Sequence, residues 1–206
     1  MRSLKKRSYG LLLIGLIIII ATIFHFNQPK NYMVEKKQEI KVGIILGFTG
    51  PIKSITPAMA DSAELAFKEA SKSGSLLGGS IIKIEKADST CKNSSDAITA
   101  AKKLILKDVK AIIGADCNEV TKAIATNIAI PNRIVMISPS ATSPDLTKLN
   151  DNGFFFRTAP SDLRGSKILA DITKERGIQN VAIAHSNNEY GKRLAYYYEN
   201  AVKALD

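Results

Sequence analysis

Hydroxyl side chains gather just after an apolar run in the stretch ISPSATSPDL, residues 137–146. Ser138, Ser140 and Thr142 alternate along this stretch, and Ser143-Pro144 is typical of the start of a short helix. Neutral hydroxyls and backbone N–H groups near helix N-termini bind anions such as carboxylates without any formal positive charge. The same residues also suit a plain turn, in which Ser143 caps and Thr142 bonds its own backbone. The pattern therefore predicts either a carboxylate site or a well-capped turn.

Two further residues have the chemistry of a ligand contact. Asn118, in ADCNEV, stands where a helix is predicted to begin, so its side chain would either cap that helix or face a ligand. Tyr190, in HSNNEYGKRL, precedes another helix and would act either as an aromatic lid or in ordinary packing. His185 ends an apolar run and is predicted to be structural rather than catalytic.

The arrangements of residues that mark common enzymes are absent from the sequence. It contains no G-x-S-x-G elbow, no G-x-x-x-x-G-K-[ST] phosphate loop, and no G-x-G-x-x-G after the first predicted strand. Asp88, Asp116 and Glu119 are candidate paired acids, but no histidine lies near them in the sequence. We therefore predict a protein that is not an enzyme and that uses no cofactor and no metal.

Short apolar runs alternate with helical patterns along the chain, which predicts an α/β fold with a parallel sheet and helices on both faces. Strands are predicted over residues 40–48, 80–87, 111–115, 134–138, 153–158 and 181–185. Helices are predicted from an N-cap at Thr56 to the stop at Gly74, and over residues 94–106, 120–130, 163–176 and 191–205. Ligands of such sheets bind beyond the carboxyl ends of the strands. The stretch 137–146 lies on that edge.

The N-terminus has the plan of an export signal. Arg2, Lys5, Lys6 and Arg7 are followed by an apolar segment without charge, residues 11–24. That segment is short for a membrane span, but residues 9–26 together approach the required length. Cleaved signal peptide and uncleaved signal anchor both remain open. Either way we predict a periplasmic or extracytoplasmic domain, anchored to the inner membrane through residues 9–26 if the segment is uncleaved.

Charge and cysteine content narrow the class of protein further. The formal net charge is +10, but five basic residues precede the first acidic one, and without them 24 bases against 19 acids leave +5. The remaining bases are scattered, so nucleic acid is not predicted as a partner. An even number of cysteines, Cys91 and Cys117, suggests a disulfide in an exported chain.

Several segments in order resemble one family: KVGIILGFTGP, IIGADCNEVTKAIA, VMISPSATSPDL, FFFRTAPSD and VAIAHSNNEYGKRLA. From about Lys41 to Leu205 the chain is similar to periplasmic solute-binding proteins of the leucine/isoleucine/valine-binding type, the receptors of ABC importers. The resemblance implies the type I periplasmic-binding fold, with two α/β lobes around a cleft. It also implies capture of a branched-chain amino acid or similar small carboxylate and delivery to an ABC permease in the inner membrane. A membrane-anchored extracytoplasmic ligand-sensing domain is the alternative.

The resemblance also implies roles for individual residues. Asn118 stands at a position where family members often have a serine that binds the ligand carboxylate, and an amide can also donate there. The implied ligand contacts are Asn118, Ser140 and Ala141 through main chain, Thr142 through hydroxyl and amide, and Tyr190 as a cover from the second lobe. Cys91 and Cys117 match a disulfide of the first lobe.

The resemblance divides the chain into three parts. Residues 1–32 are predicted as a signal peptide or signal anchor with a linker, and residues 33–158 as the first ligand-binding lobe. Residues 159–206 are predicted as the start of a second lobe that is incomplete, because family members are considerably longer. The first crossing between lobes is expected at residues 157–162.

Overall fold

Five parallel strands form the sheet of the protein, whose computed structural model describes residues 38–205. Their spatial order is β2-β1-β3-β4-β5. The strands are β1 (Glu39–Leu46), β2 (Ile81–Asp88), β3 (Ala111–Gly114), β4 (Val135–Ser138) and β5 (Phe155–Arg157). The first five predicted strands and the parallel α/β architecture are confirmed, with bounds that differ by one to two residues at most ends.

Helices follow the strands in the predicted order. They are α1 (Thr56–Lys72), α2 (Ser94–Leu106), α3 (Asn118–Ile124), α4 (Asp162–Glu175) and α5 (Glu189–Lys203). A π-helical segment (Ala125–Ala129) continues α3, and a 3-10 helix (Pro144–Lys148) follows β4. Ser143 caps the 3-10 helix through its side chain, as predicted, because its Oγ accepts from the Asp145 N–H.

The prediction that Thr56 caps α1 is wrong. Thr56 is the first helical residue, and Ile55 occupies the cap position without a side-chain hydrogen bond. The Thr56 side chain is buried and donates its hydroxyl to the Gly47 carbonyl at 3.1 Å. The hydroxyl therefore ties α1 to the loop after β1 and does not serve the helix terminus.

Alternating residues of β1 supply the cores on the two faces of the sheet. Ile44 and Leu46 pack with Ala60 of α1 on one face. Ile45 points to the opposite face and packs with Leu104 of α2 and other buried side chains of that layer. A strand covered on both faces is apolar at successive positions, which explains the continuous apolar run of this segment.

Gly114 ends β3 at the carboxyl edge of the sheet. Its φ is +126°, and a Cβ at this position would lie 1.9 Å from the backbone oxygen of Ile45. The β1 backbone cannot move away from this contact without breaking its pairing with β3. Glycine is therefore the residue that lets β3 turn into the following loop while it remains beside β1.

The sixth predicted strand, residues 181–185, is not a strand. Its apolar residues are exposed, with Val181 at 41% and Ile183 at 40%. Among residues 38–205 no strand pairs with this segment, and the sheet ends at β5. The strand-like sequence alone does not form a strand because strand geometry requires a neighbour to accept and donate backbone hydrogen bonds.

The predicted export segment, residues 11–24, lies outside the described residues. Within residues 38–205, no helix combines the length and the apolar character that a membrane crossing needs.

We predict that Gly114→Ala lowers the free energy of unfolding by about 3 kcal/mol or more, because the methyl group would overlap backbone at a φ that L residues rarely adopt. Gly165→Ala is the matched control, since Gly165 lies in α4 and an added Cβ there meets nothing within 4 Å. Alanine in a helix is favoured over glycine by about 0.5–1 kcal/mol, so the control is expected to be neutral or stabilising. Urea unfolding of both variants measures the difference, and equal stabilities would contradict the steric account.

Candidate functional site

The Asp116 carboxylate joins three loops at the carboxyl edge of the sheet. It is buried, and its Oδ2 accepts the Gly47 N–H at 2.7 Å from the loop after β1. Its Oδ1 accepts the Cys117 N–H at 3.0 Å and the Ser89 hydroxyl at 3.4 Å from the loop after β2. Buried carboxylates are retained where several donors satisfy them. Asp116, predicted only as one of several candidate paired acids, has a structural role here.

A disulfide joins Cys91, after β2, to Cys117 at the start of α3. The two sulfurs and the Asp116 carboxylate are close enough to form a metal-ligand group. Metal ions bind the thiolate form of cysteine, which a disulfide does not provide. The cluster therefore acts as a covalent tie between loops.

Asp88 lies at the same edge of the sheet and holds the loop after β1 through hydrogen bonds. Its carboxylate accepts the Thr49 hydroxyl at 2.5 Å and the Thr90 N–H at 2.8 Å. Burial opposes ionisation of Asp88, yet these hydrogen bonds and those of the Thr49 and Phe48 backbone together lower its pKa below the ordinary value. The folded structure thus favours the ionised form of Asp88.

The hydroxyls of the loop after β4 are largely bonded within the protein. The Ser138 hydroxyl donates to the Ala115 carbonyl and accepts the Ala141 N–H at 3.1 Å. The Ser140 hydroxyl donates to the Asp116 carbonyl at 2.9 Å. Ala141 itself is buried. These bonds support the turn predicted from the sequence, which packs directly against α3, and the carboxylate site stays a prediction.

Asn118 and Thr142 lie in contact at the centre of this edge. The Asn118 Oδ1 accepts the Thr142 N–H at 2.7 Å and the Ser143 N–H at 2.9 Å. The Thr142 hydroxyl donates to Asp162 Oδ2 at 2.9 Å, and the Asp162 N–H donates to the Thr142 carbonyl at 3.0 Å. The Asn118 side chain thus joins the N-terminus of α3 to the loop after β4, and Thr142 joins that loop to α4.

Tyr190 lies beside the same cluster. Partial burial raises its pKa, and the negative charge of Asp162 raises it further. Its side chain remains half exposed, at 50%. One turn later, Arg193 forms an ion pair with Glu119 at 3.1 Å, next to Asn118 in the chain. The N-terminal part of α5 therefore lies close to the first turn of α3.

The structure brings the sequence-predicted residues 118, 140, 141 and 142 together at this edge, but not His185. Tyr190 is linked to them through Asp162, since partial burial and then the charge of Asp162 raise the pKa of Tyr190. His185 is exposed, and its Nδ1 lies 3.0 Å from the neighbouring Ser186 carbonyl. Asp162, Glu119 and Arg193 complete the cluster, and sequence reasoning did not link them to it. Asp162 does carry one signal, since acidic residues favour the first turn of a helix, where it stands in α4. That signal gives no indication of the contact with Thr142.

Comparison with known families and structures places this geometry in context. A model of the receptor family ligand binding region matches residues 58–206. The chain belongs to that family. A curated relative, the leucine-specific-binding protein of Salmonella typhimurium, is 29% identical over 186 residues, covering 90% of this chain and 48% of the relative.

Solved structures agree with the family. An ABC transporter substrate-binding protein from Desulfitobacterium hafniense in complex with Leu superposes with a TM-score of 0.68 at 28% identity, over 81% of this chain and 48% of that one. LivJ from Streptococcus pneumoniae in complex with isoleucine gives a TM-score of 0.72 at 25% identity, over 81% and 47%. The type I periplasmic-binding fold is thereby confirmed. The chain spans about half the length of these relatives.

We predict that Asp88→Asn lowers the free energy of unfolding at pH 7 by about 1 kcal/mol, because hydrogen bonds to a charged acceptor are stronger than those to an amide. The folded pKa of Asp88 is lowered, so its stabilisation is complete above the unfolded pKa, about 3.9, and is lost as the pH falls through the folded pKa. The difference between wild type and variant should therefore begin to narrow below about pH 3.9 and disappear only below the folded pKa. Urea titrations at a series of pH values from 7 down to about 2 measure it, with the exposed Asp61→Asn in α1 as control. A gap that stays constant over this range would contradict the prediction.

Proposed function

We propose that the chain is the extracytoplasmic solute-binding component of an ABC importer, and that it binds an amino acid of the branched-chain type or a similar small carboxylate. The observation that carries this proposal is the cluster of oriented neutral donors at the carboxyl edge of the sheet. The Thr142 and Ser143 N–H groups point to one acceptor, Asn118 Oδ1, beside the Thr142 hydroxyl. Paired N–H donors of this kind suit a carboxylate oxygen.

The proposed ligand contacts are Ser140, Ala141, Thr142 and Tyr190, and Asn118 lies within the same site, where its oxygen holds the Thr142 and Ser143 N–H groups. Thr142 would meet the acid group through its N–H and hydroxyl, which would leave their present acceptors, Asn118 Oδ1 and Asp162 Oδ2. Ser140 and Ala141 would contact the ligand through their main chain. The Ala141 N–H already donates to the Ser138 hydroxyl, so the Ala141 carbonyl is the group available to a ligand. Tyr190, which is half exposed and close enough to Asp162 for that charge to raise its pKa beyond the effect of burial, would cover the ligand.

The domain division supports the same function. We propose that residues 33–158 form the first lobe, that the chain crosses near residues 157–162, and that residues 159–206 begin the second lobe. The helices α4 and α5 pack against each other through a Thr173–Tyr198 hydroxyl contact of 2.8 Å, whereas α1, α2 and α3 pack on the sheet. A solute held between Thr142 and Tyr190 would thus lie between the two lobes.

The relatives support a transport role. One is named a leucine-specific-binding protein, and the two solved neighbours are ABC transporter substrate-binding proteins in complex with Leu and isoleucine. By extension, the proposed partners of this chain are a small carboxylate solute and an ABC permease in the inner membrane. The protein would perform no chemistry on its ligand. Residues 1–32 would direct it to the periplasm, as a signal peptide or as an anchor.

We predict that Thr142→Val weakens binding of L-leucine by about tenfold to a hundredfold, since a hydrogen bond to a charged group contributes about 1.5–3 kcal/mol. Thr142→Ser, which keeps the hydroxyl, should stay within about threefold of wild type, a difference below 1 kcal/mol. Isothermal titration calorimetry, with NMR titration for weak binding, provides the measurement. Thr99→Val in α2 is the control, because its exposed hydroxyl bonds only the Ser95 carbonyl of its own helix. The proposal fails if neither leucine nor other small carboxylates bind, or if Thr142→Val binds leucine as well as wild type does.

A further inference from the structure

The acceptor that occupies the proposed acid site belongs to the protein itself. The Asn118 Oδ1 lies 2.7 Å from the Thr142 nitrogen and 2.9 Å from the Ser143 nitrogen. Both distances are those of full-strength hydrogen bonds. Each N–H has one hydrogen to donate, so a ligand oxygen and Asn118 Oδ1 cannot both be bonded well by the same pair. Binding of an acid at this pair requires that Asn118 leave it.

The Asn118 side chain is held in place only through its oxygen. Among residues 38–205, its Nδ2 donates to no protein acceptor, and the residue is only partly buried. Rotation about its side-chain bonds would therefore release the two N–H groups without breaking any other bond of that side chain. Asn118 is the first residue of α3, and its backbone stays fixed by the neighbouring Cys117 disulfide and the Asp116 contacts.

We propose that Asn118 is a specificity-determining residue that competes with the acid group of the ligand for the Thr142 and Ser143 N–H groups. The inference rests on the proposed function, because it concerns the same site. A carboxylate has to displace the Asn118 oxygen, whereas a ligand group that does not use these N–H donors is unaffected. Asn118 thus lowers the affinity for acids selectively and leaves contacts with the remainder of the solute unchanged.

Three probes separate the acid group from the rest of a leucine-like solute. L-Leucine carries both charged groups, 4-methylpentanoate lacks the ammonium, and 3-methylbutylamine lacks the carboxylate. The purified chain, labelled with nitrogen-15, is titrated with each probe, and the Thr142 and Ser143 amide resonances report directly on the disputed donors. The method detects millimolar binding as well as tight binding.

For Asn118→Ala, we expect 4-methylpentanoate and L-leucine to bind about tenfold more tightly, which corresponds to roughly one net hydrogen bond. Water then occupies the N–H groups, and its release on binding is less costly than displacement of a tethered side chain. Binding of 3-methylbutylamine should not change. Asn118→Asp keeps an oxygen acceptor in place and adds a negative charge, so it should weaken both acids at least tenfold and leave the amine at wild-type affinity or tighter.

The outcomes separate the inference from the proposed function. If the acids bind but Asn118→Ala binds them equally or more weakly, Asn118 merely positions the loop, and the inference fails while the function stands. If no acid shifts the Thr142 and Ser143 resonances in wild type or variants, both fail. Thermal unfolding monitors each variant. Should Asn118→Ala not fold, Asn118→Asp decides alone, since unchanged acid affinity in that variant would overturn competition.

Discussion

One buried carboxylate, that of Asp116, fixes the edge of the sheet on which the proposed site depends. It accepts donors from the loops after β1 and β2 and from the N–H of Cys117, the residue that precedes α3. Removal of this acceptor would leave the Gly47 N–H buried without a partner, which costs about 1–3 kcal/mol. Gly114 turns the chain into this position, and the disulfide at Cys117 closes it. The backbone that carries Asn118 is therefore held from both sides.

Polar contacts connect Asn118 with later segments of the chain. Asn118 holds the loop after β4, and Thr142 in this loop holds Asp162 at the start of α4. Arg193 of α5 returns to Glu119 beside Asn118. A solute that displaced the Asn118 oxygen would thus disturb a residue next to Glu119 and Thr142, which contact α5 and α4 respectively. Exposed ion pairs such as Arg193–Glu119 contribute little energy, so the hydrogen bonds at Thr142 are the stronger link.

Local patterns predicted most of the fold because the first five strands and all of the helices carry their own periodicity and end signals. The strand predicted at residues 181–185 was wrong for a nonlocal reason, since pairing depends on a neighbour that the segment's own residues do not encode. The sequence predicted which residues would lie at the site, but it did not predict the hydrogen bonds among them. The contact from Asn118 to Thr142 spans 24 residues, and only the meeting of two parallel strand ends brings them together. The family resemblance indicated which residues lie at the site, but the direction of the Asn118 oxygen depends on the three-dimensional contact between α3 and the loop after β4.

The charges around the site bear on which solute it suits. Glu119, Asp145 and Asp162 lie near Asn118 or Thr142, and Arg193 and Lys122 partly offset them through ion pairs of 3.1 Å to Glu119 and 3.3 Å to Asp145. Asp162 is bonded by the neutral Thr142 hydroxyl, so its charge remains locally uncompensated by that contact. Under the proposed function, a free carboxylate entering this field would be opposed by Asp162 and would have to be held by directional N–H donors. A zwitterion would bring its own ammonium to Asp162, so an amino acid is expected to bind better than a simple acid.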